Sequence, residues 1–132
     1  ASATDRGLIV PVLHDADTKP LAEISREIAT LAARAREGRA TQAQLTGGTF
    51  TVSNLGMYGI DAFTPIINPP ETAILGIGRI VEKPVAVDGR GCIQPTCVMS
   101  LTLDHRVIDG SDGAVFLMRL RELVEDPITI LL

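Results

Sequence analysis

Apolar residues recur in the chain at two spacings, one helical and one strand-like. From Leu21 to Ala35 they follow steps of three and four residues, and charged side chains occupy the opposite face. That spacing predicts an amphipathic helix, with Pro20 at its start and Gly38 after its end. A second helix is predicted to open at the Asp-Gly pair of residues 109–110 and to run to residue 126.

Short β-branched runs predict the strands. Residues 7–13 indicate a buried strand, residues 49–53 alternate as a strand, and residues 72–80 indicate another buried strand. Residues 85–88 and 92–103 predict two further strands joined by a turn. The order of these elements predicts an α/β sandwich in which helices cover one face of a mixed β-sheet.

The segment between the second and third predicted strands is too long for a hairpin. It runs through Gly59 to the Asn-Pro-Pro of residues 68–70. Because loops of this length inside a compact domain are often functional, it is a candidate for part of a site.

Composition removes several classes of function. The 132 residues have a net charge of −4 and scattered basic residues, and only 3% are aromatic, which argues against nucleic-acid binding. No apolar run approaches the ~20 residues of a membrane span. Cys92 and Cys97 lack the spacing of a metal or redox pair, so we expect two buried or half-buried thiols on a strand and no metal.

The strongest candidate for chemistry is His105, in the sequence DHRVIDG at residues 104–110. It lies at a predicted strand-to-helix junction, and histidine is the side chain best suited to act as a general base near neutral pH. The alternative is a charged turn in which Asp109 caps the helix while His105 and Arg106 are surface residues. The residues alone favour that alternative.

Two other positions have weaker support. His14 lies in an Asp-rich turn and is expected at the surface. Ser53, followed by Asn54, ends a predicted strand and could donate a hydrogen bond into a site, although its spacing alone favours a turn-forming pair before Gly56. Without further information the sequence indicates an α/β domain with a possible histidine base.

Four blocks taken together resemble one family. They are GLIVPV at residues 7–12 with DAD at 15–17, GTFTVSNLG at 48–56, INPP at 67–70 and DHRVIDG at 104–110. In this order they resemble the catalytic domain of dihydrolipoamide acyltransferases, the core subunits of 2-oxoacid dehydrogenase complexes. The resemblance implies a chloramphenicol acetyltransferase-like fold, a two-layer sandwich of helices packed on a mixed β-sheet.

The resemblance also implies an enzymatic activity. Such proteins transfer an acyl group between dihydrolipoamide and coenzyme A by direct attack of a thiol on a thioester. By this resemblance His105 is the base, Ser53 stabilises the oxyanion, Asp109 organises the site and Arg106 has a structural role. Coenzyme A and the lipoyl group are then substrates. We expect the His105 ring to face an open cleft, with one nitrogen held by a carbonyl or carboxylate.

The implied assembly is a trimer with its active sites between subunits, so that His105 and Ser53 of one site come from different chains. Trimers then pack into shells, and the apolar tail at residues 128–132 resembles the anchor between trimers; its alternative is packing on its own core. Implied partners are lipoyl domains and the 2-oxoacid decarboxylase and dihydrolipoamide dehydrogenase subunits. The implied location is the bacterial cytoplasm or the mitochondrial matrix.

We expect residues 1–132 to be the C-terminal half of a single catalytic domain, without its N-terminal half and without lipoyl and subunit-binding modules. Activity of this piece alone is therefore in question. Ser53, with LGMYG at 55–59, favours an acetyl over a succinyl group. Branched-chain acyl and acetoin-cleaving complexes remain open. So do an inactive assembly scaffold and, less favoured, a monomeric antibiotic-acetylating enzyme.

Overall fold

A computed structural model describes residues 2–4 and 7–130, with side chains described from residue 7 onward. The chain divides into two compact units, Ala1–Val52 and Ser53–Leu132. Each unit is described separately below.

The first unit combines a short hairpin with the first helix. Strand β1 (Ser2–Thr4) pairs antiparallel with β2 (Gly7–Ile9), and helix α1 spans Leu21–Arg36. Pro20 is the residue that precedes the helix, and Gly38 after its end adopts a φ of 66°, which glycine tolerates best. The predicted helix and both of its boundaries are confirmed.

The prediction of a buried strand over residues 7–13 is wrong. Only β2 is assigned as a strand in this segment, and Leu8 is 69% exposed. Pro11 has no N–H to donate, so a ladder could not run unbroken through the segment. His14 follows it and is exposed, as expected, with Nε2 lying 2.9 Å from the carbonyl oxygen of Ala43.

The second unit contains a three-stranded sheet in the order β3, β4, β7. Its strands are β3 (Thr51–Asn54), of which only the last two residues belong to this unit, β4 (Ala73–Ile77) and β7 (Met99–Leu103). Strand β4 is central and supplies three buried apolar residues, Ala73, Ile74 and Leu75. Strand β7 runs antiparallel to β4, with Leu103 opposite Ala73.

Strand β3 runs in the same direction as β4. The N–H of Leu55 donates to the carbonyl of Ile77 at 3.1 Å, and one residue later Gly56 lies against Gly78 and Arg79. The two strands therefore end at the same edge of the sheet. The sheet is mixed, as the sequence predicted.

The strand predicted over residues 92–103 is in fact two strands in different sheets. Strands β5 (Val81–Val87) and β6 (Arg90–Thr96) form an antiparallel hairpin, and β7 begins only at Met99. At the break the carbonyl of Val98 accepts a hydrogen bond from Gly78 at 2.9 Å, which starts the new pairing. The two cysteines are free and half-buried, as expected, but only Cys92 lies on a strand, since Cys97 falls at the break between β6 and β7.

Helix α2 (Gly110–Glu125) covers β7. Gly113 is buried because it lies directly against Leu103 and Leu101, where a side chain would meet both leucines. A short 3-10 helix follows at Pro127–Ile130. The predicted α/β class with helix packed on sheet is confirmed, and no helix in the described part of the chain has the length and apolarity to cross a membrane.

Candidate active site

His105 lies on a tight turn between the end of β7 and the start of α2. Asp104 anchors this turn: its N–H donates to the carbonyl of Thr72 at 2.8 Å, and its own carbonyl accepts the N–H groups of Val107 and Ile108, each at 3.0 Å. The turn ends at Asp109, whose extended backbone precedes α2 without a side-chain cap bond. His105 takes no part in these bonds and is exposed.

The His105 ring is accessible from an open cleft with a volume of about 460 Å³. The cleft is lined by the end of the long loop and by the turn, namely Ile67, Pro69, Pro70, Glu71, Thr72, Leu103, Asp104, His105 and Arg106. The side chain is 72% exposed. A base must be reached by the proton it removes, and His105 meets that condition.

Asp109 brings a carboxylate close to the histidine ring. Its Oδ1 lies 3.9 Å from Nδ1 of His105, which precedes it by four residues. This distance is too long for a hydrogen bond, so the expected bond to the ring is not formed.

Asp104 and Arg106, on either side of His105, pair with each other. The guanidinium donates from Nε to Oδ1 at 2.9 Å and from Nη2 to Oδ2 at 2.6 Å, and the backbone N–H of Arg106 donates to Oδ1 at 3.0 Å. These bonds from Arg106, the side-chain bonds foremost, lower the pKa of Asp104 from 3.8 to about 2. Asp104 is therefore ionised at any working pH.

Ser53 lies away from the cleft of its own chain. It is half-buried on β3, whereas β4 separates β3 from the strand that leads to His105. Moreover, β3 ends beside Ile77, and β7 ends beside Ala73, at the other end of β4. Two strand spacings across the sheet already amount to roughly 10 Å. Among the described residues no contact joins Ser53 to His105.

The sequence interpretation missed two features of the site. Asp104 was counted only as part of a charged motif, although an Asp two residues before an Arg in a turn is a pattern that permits this pairing. Glu71 directly follows the INPP block and brings a carboxylate to the cleft wall. No group of three potential metal ligands comes together among the residues that the structure describes.

Comparison with protein families gives one match along the chain. The family model described as "2-oxoacid dehydrogenases acyltransferase (catalytic domain)" matches residues 1–132. Among curated proteins, the dihydrolipoyllysine-residue succinyltransferase components of the 2-oxoglutarate dehydrogenase complexes of Rickettsia felis and Escherichia coli are 48% and 47% identical over 132 residues. These matches cover 100% of this chain and 33% of each relative.

Solved structures agree in fold. The dihydrolipoamide acetyltransferase of Azotobacter vinelandii superposes with a TM-score of 0.90 at 44% identity, covering 99% of this chain and 54% of that one. The cubic core of a pyruvate dehydrogenase multienzyme complex gives a TM-score of 0.89 at 44% identity, covering 98% and 53%. The Azotobacter structure comes from a study of a serine, a histidine and an asparagine in the catalytic mechanism.

Proposed function

The chain belongs to the 2-oxoacid dehydrogenase acyltransferase (catalytic domain) family, and we propose that its protein transfers an acyl group between dihydrolipoamide and coenzyme A in the core of a 2-oxoacid dehydrogenase complex. The likeness to solved acetyltransferase cores confirms the chloramphenicol acetyltransferase-like fold. The observation that carries the proposal is His105, displayed on an anchored turn with its ring open to a cleft.

The proposed reaction needs a base because the attacking substrate is a thiol, whereas the acyl donor is a thioester. A thiol with a pKa of about 8.5 is mostly protonated at neutral pH and is then a poor nucleophile. His105 takes the thiol proton as the sulfur bonds to the thioester carbonyl. The resulting tetrahedral intermediate collapses, its carbon–sulfur bond to the other thiol breaks, and that sulfur receives the proton back from His105.

Ser53 is proposed as the donor to the oxyanion of this intermediate, from a neighbouring subunit of a trimer. Its position on β3, away from the cleft of its own chain, supports a role in another subunit's cleft. The sequence intervals support the assignment as well. The serine, histidine and asparagine studied in the Azotobacter enzyme are separated by 52 and 4 positions, as are Ser53, His105 and Asp109 here.

Asp109 is proposed to organise the site and not to carry the proton. At 3.9 Å from Nδ1, its carboxylate stabilises the imidazolium that forms while His105 holds the proton. This chain has an acid where the Azotobacter enzyme has an asparagine at the same interval. The organising role therefore includes a negative charge in this protein.

The acyl group has two leading candidates. Ser53 with residues 55–59 favours acetyl, whereas the curated relatives at 46–48% identity are named succinyltransferases. Branched-chain acyl and acetoin-cleaving complexes are further alternatives. Turnover of acetyl-, succinyl- and isobutyryl-coenzyme A with dihydrolipoamide, measured on the full-length subunit, distinguishes them by the ratio of kcat/KM.

We also propose that residues 1–132 are the C-terminal half of one catalytic domain. The chain spans 32–33% of the first curated relatives and about half of the solved chains, 54% and 53%. Lipoyl domains, the decarboxylase and dihydrolipoamide dehydrogenase subunits are the proposed partners, in the bacterial cytoplasm or the mitochondrial matrix.

The test of the function is His105→Ala in the full-length subunit. We expect turnover to fall by roughly 10²–10⁴ because a positioned general base contributes about that factor. Sedimentation should show an unchanged assembly, since the ring is largely exposed and not part of the core. Full turnover in this variant would overturn the role of His105. A wild-type subunit that assembles but has no turnover would favour the alternative of an inactive scaffold.

A further inference from the structure

The charged residues on either side of His105 interact with each other, although both line the same cleft as the histidine. Arg106 places two side-chain donors on the two carboxylate oxygens of Asp104, a bidentate geometry that fixes the relative orientation of both groups. A third bond comes from the backbone N–H of Arg106. The peptide that follows His105 is therefore tied to the residue that precedes it.

Asp104 also holds the backbone of the turn. Its N–H is bonded to Thr72 at the start of the β4 segment, and its carbonyl receives the N–H groups of Val107 and Ile108. The backbone bonds set the path of the turn, whereas the side-chain bonds close it around the histidine. Loss of the carboxylate would free both the guanidinium and the N–H of Arg106.

The pairing also balances the charge beside the base. Four charged groups of the described chain lie near His105: Asp104, Arg106 and Glu71 line the same cleft, and Asp109 lies 3.9 Å from the ring. Asp104 and Arg106 cancel one another at short range. Removal of either would leave an uncompensated charge within two residues of the base.

We propose that Asp104 and Arg106 are positioning residues for His105, a mutually neutralising pair that fixes the turn on which the base is displayed. The inference rests on the proposed function of His105. Neither residue is proposed to touch the reacting atoms. Their contribution is to hold the ring in its orientation toward the cleft and to keep the local charge balanced.

The test uses Asp104→Asn and Arg106→Gln in the full-length subunit, each compared with wild type. Misplacement of a catalytic group by about 1 Å can lower the rate ~10²-fold, so we expect kcat to fall by roughly 10- to 100-fold, with KM changed less than about threefold. Arg106→Lys keeps the charge but loses the bidentate fork. It should recover only part of kcat.

The pH–activity profile separates this role from a merely structural one, because only the charge-balancing role predicts shifts in opposite directions for the two variants. The activity of an enzyme that uses a general base rises with pH, because the base must be unprotonated to act. Asp104→Asn leaves a positive charge beside His105, which disfavours protonation, so the midpoint of the rise should move to lower pH. Arg106→Gln leaves a negative charge and should move it to higher pH. Each shift should be about half a pH unit in dilute buffer and smaller in high salt.

A matched control is the exposed ion pair on α2, in which Nη1 of Arg119 donates to Glu122 at 2.9 Å. Arg119→Gln and Glu122→Gln remove the same charges far along the helix. We expect both to retain wild-type kcat and an unshifted profile. Shifts of equal size in these controls would mean that net charge, and not the pair beside His105, controls the profile, and would overturn the inference.

The outcomes separate this inference from the proposed function. If His105→Ala is inactive while Asp104→Asn and Arg106→Gln keep kcat within about threefold and show no opposed pH shifts, the positioning role is wrong and the base assignment stands. If His105→Ala is fully active, both fail. Should Asp104→Asn not assemble, Arg106→Gln decides, because a side chain that is 88% exposed can be shortened without disturbing a core.

Discussion

The contact between α2 and β7 makes a sharp prediction at Gly113. A methyl group added there would overlap Cδ2 of Leu103 and lie 3.4 Å from Cδ2 of Leu101. In an unobstructed helix, Gly→Ala stabilises by about 1 kcal/mol. Overpacking a well-packed contact costs about 1–3 kcal/mol. Because Leu103 is only half-buried and its end can partly move, we expect Gly113→Ala to destabilise by a net ~1 kcal/mol.

Differential scanning calorimetry of the full-length subunit measures this effect. A loss of 1 kcal/mol corresponds to a Tm lowered by about 2–4 °C in a domain of 150–250 residues. Gly110→Ala, in the first turn of the same helix, is the control, since its added carbon would meet only Nε2 of His105 at an ordinary 3.8 Å. A Tm raised by Gly113→Ala would refute the close helix–strand packing.

The remaining predictions concern acid stability and assembly. Because folding lowers the pKa of Asp104 from 3.8 to about 2, its ionised form stabilises the fold above pH 3.8, and that stability is lost as the pH falls through about 2. The urea concentration at the midpoint of unfolding should therefore fall less in Asp104→Asn than in wild type as the pH is lowered from 3.8 to about 2. An equal fall in both proteins would contradict the lowered pKa. Deletion of residues 128–132 should leave trimers in place of shells in sedimentation, since exposed Ile128 and Ile130 follow Pro127 and apolar side chains contribute about 1.5–3 kcal/mol each when buried. Intact shells would mean that the tail packs on its own domain. Leu131 and Leu132 of this tail lie outside the described residues.

The helices were predictable because their signals are local. Helix α1 has periodic apolar positions, Pro20 before it and Gly38 after it, and the structure ends the helix where these residues indicate. The Asp109–Gly110 pair likewise opens α2. The proximity of Asp109 to His105 was also predictable, since residues four apart in a turn or helix lie close together.

Strand boundaries and the site depended on tertiary partners. Residues 92–103 have strand propensity throughout, and only the switch of partner from β5 to β4 divides them. Residues 7–13 have a similar composition, yet only three of them pair as a strand. The pairing of Asp104 with Arg106 is a choice of rotamers that no spacing rule fixes. The relation between Ser53 and His105 spans the sheet and, as proposed, a subunit boundary.

The central claim is that one active site is formed by His105 of one subunit and Ser53 of its neighbour. Full-length subunits carrying His105→Ala and subunits carrying Ser53→Ala are co-expressed in equal amounts, and the turnover of the mixed assemblies is measured. Each variant alone should lose roughly 10²-fold or more. In randomly mixed trimers about one interface in four unites an intact His105 with an intact Ser53, so about a quarter of wild-type turnover should return. Turnover no higher than that of the two single variants would contradict a site shared between subunits.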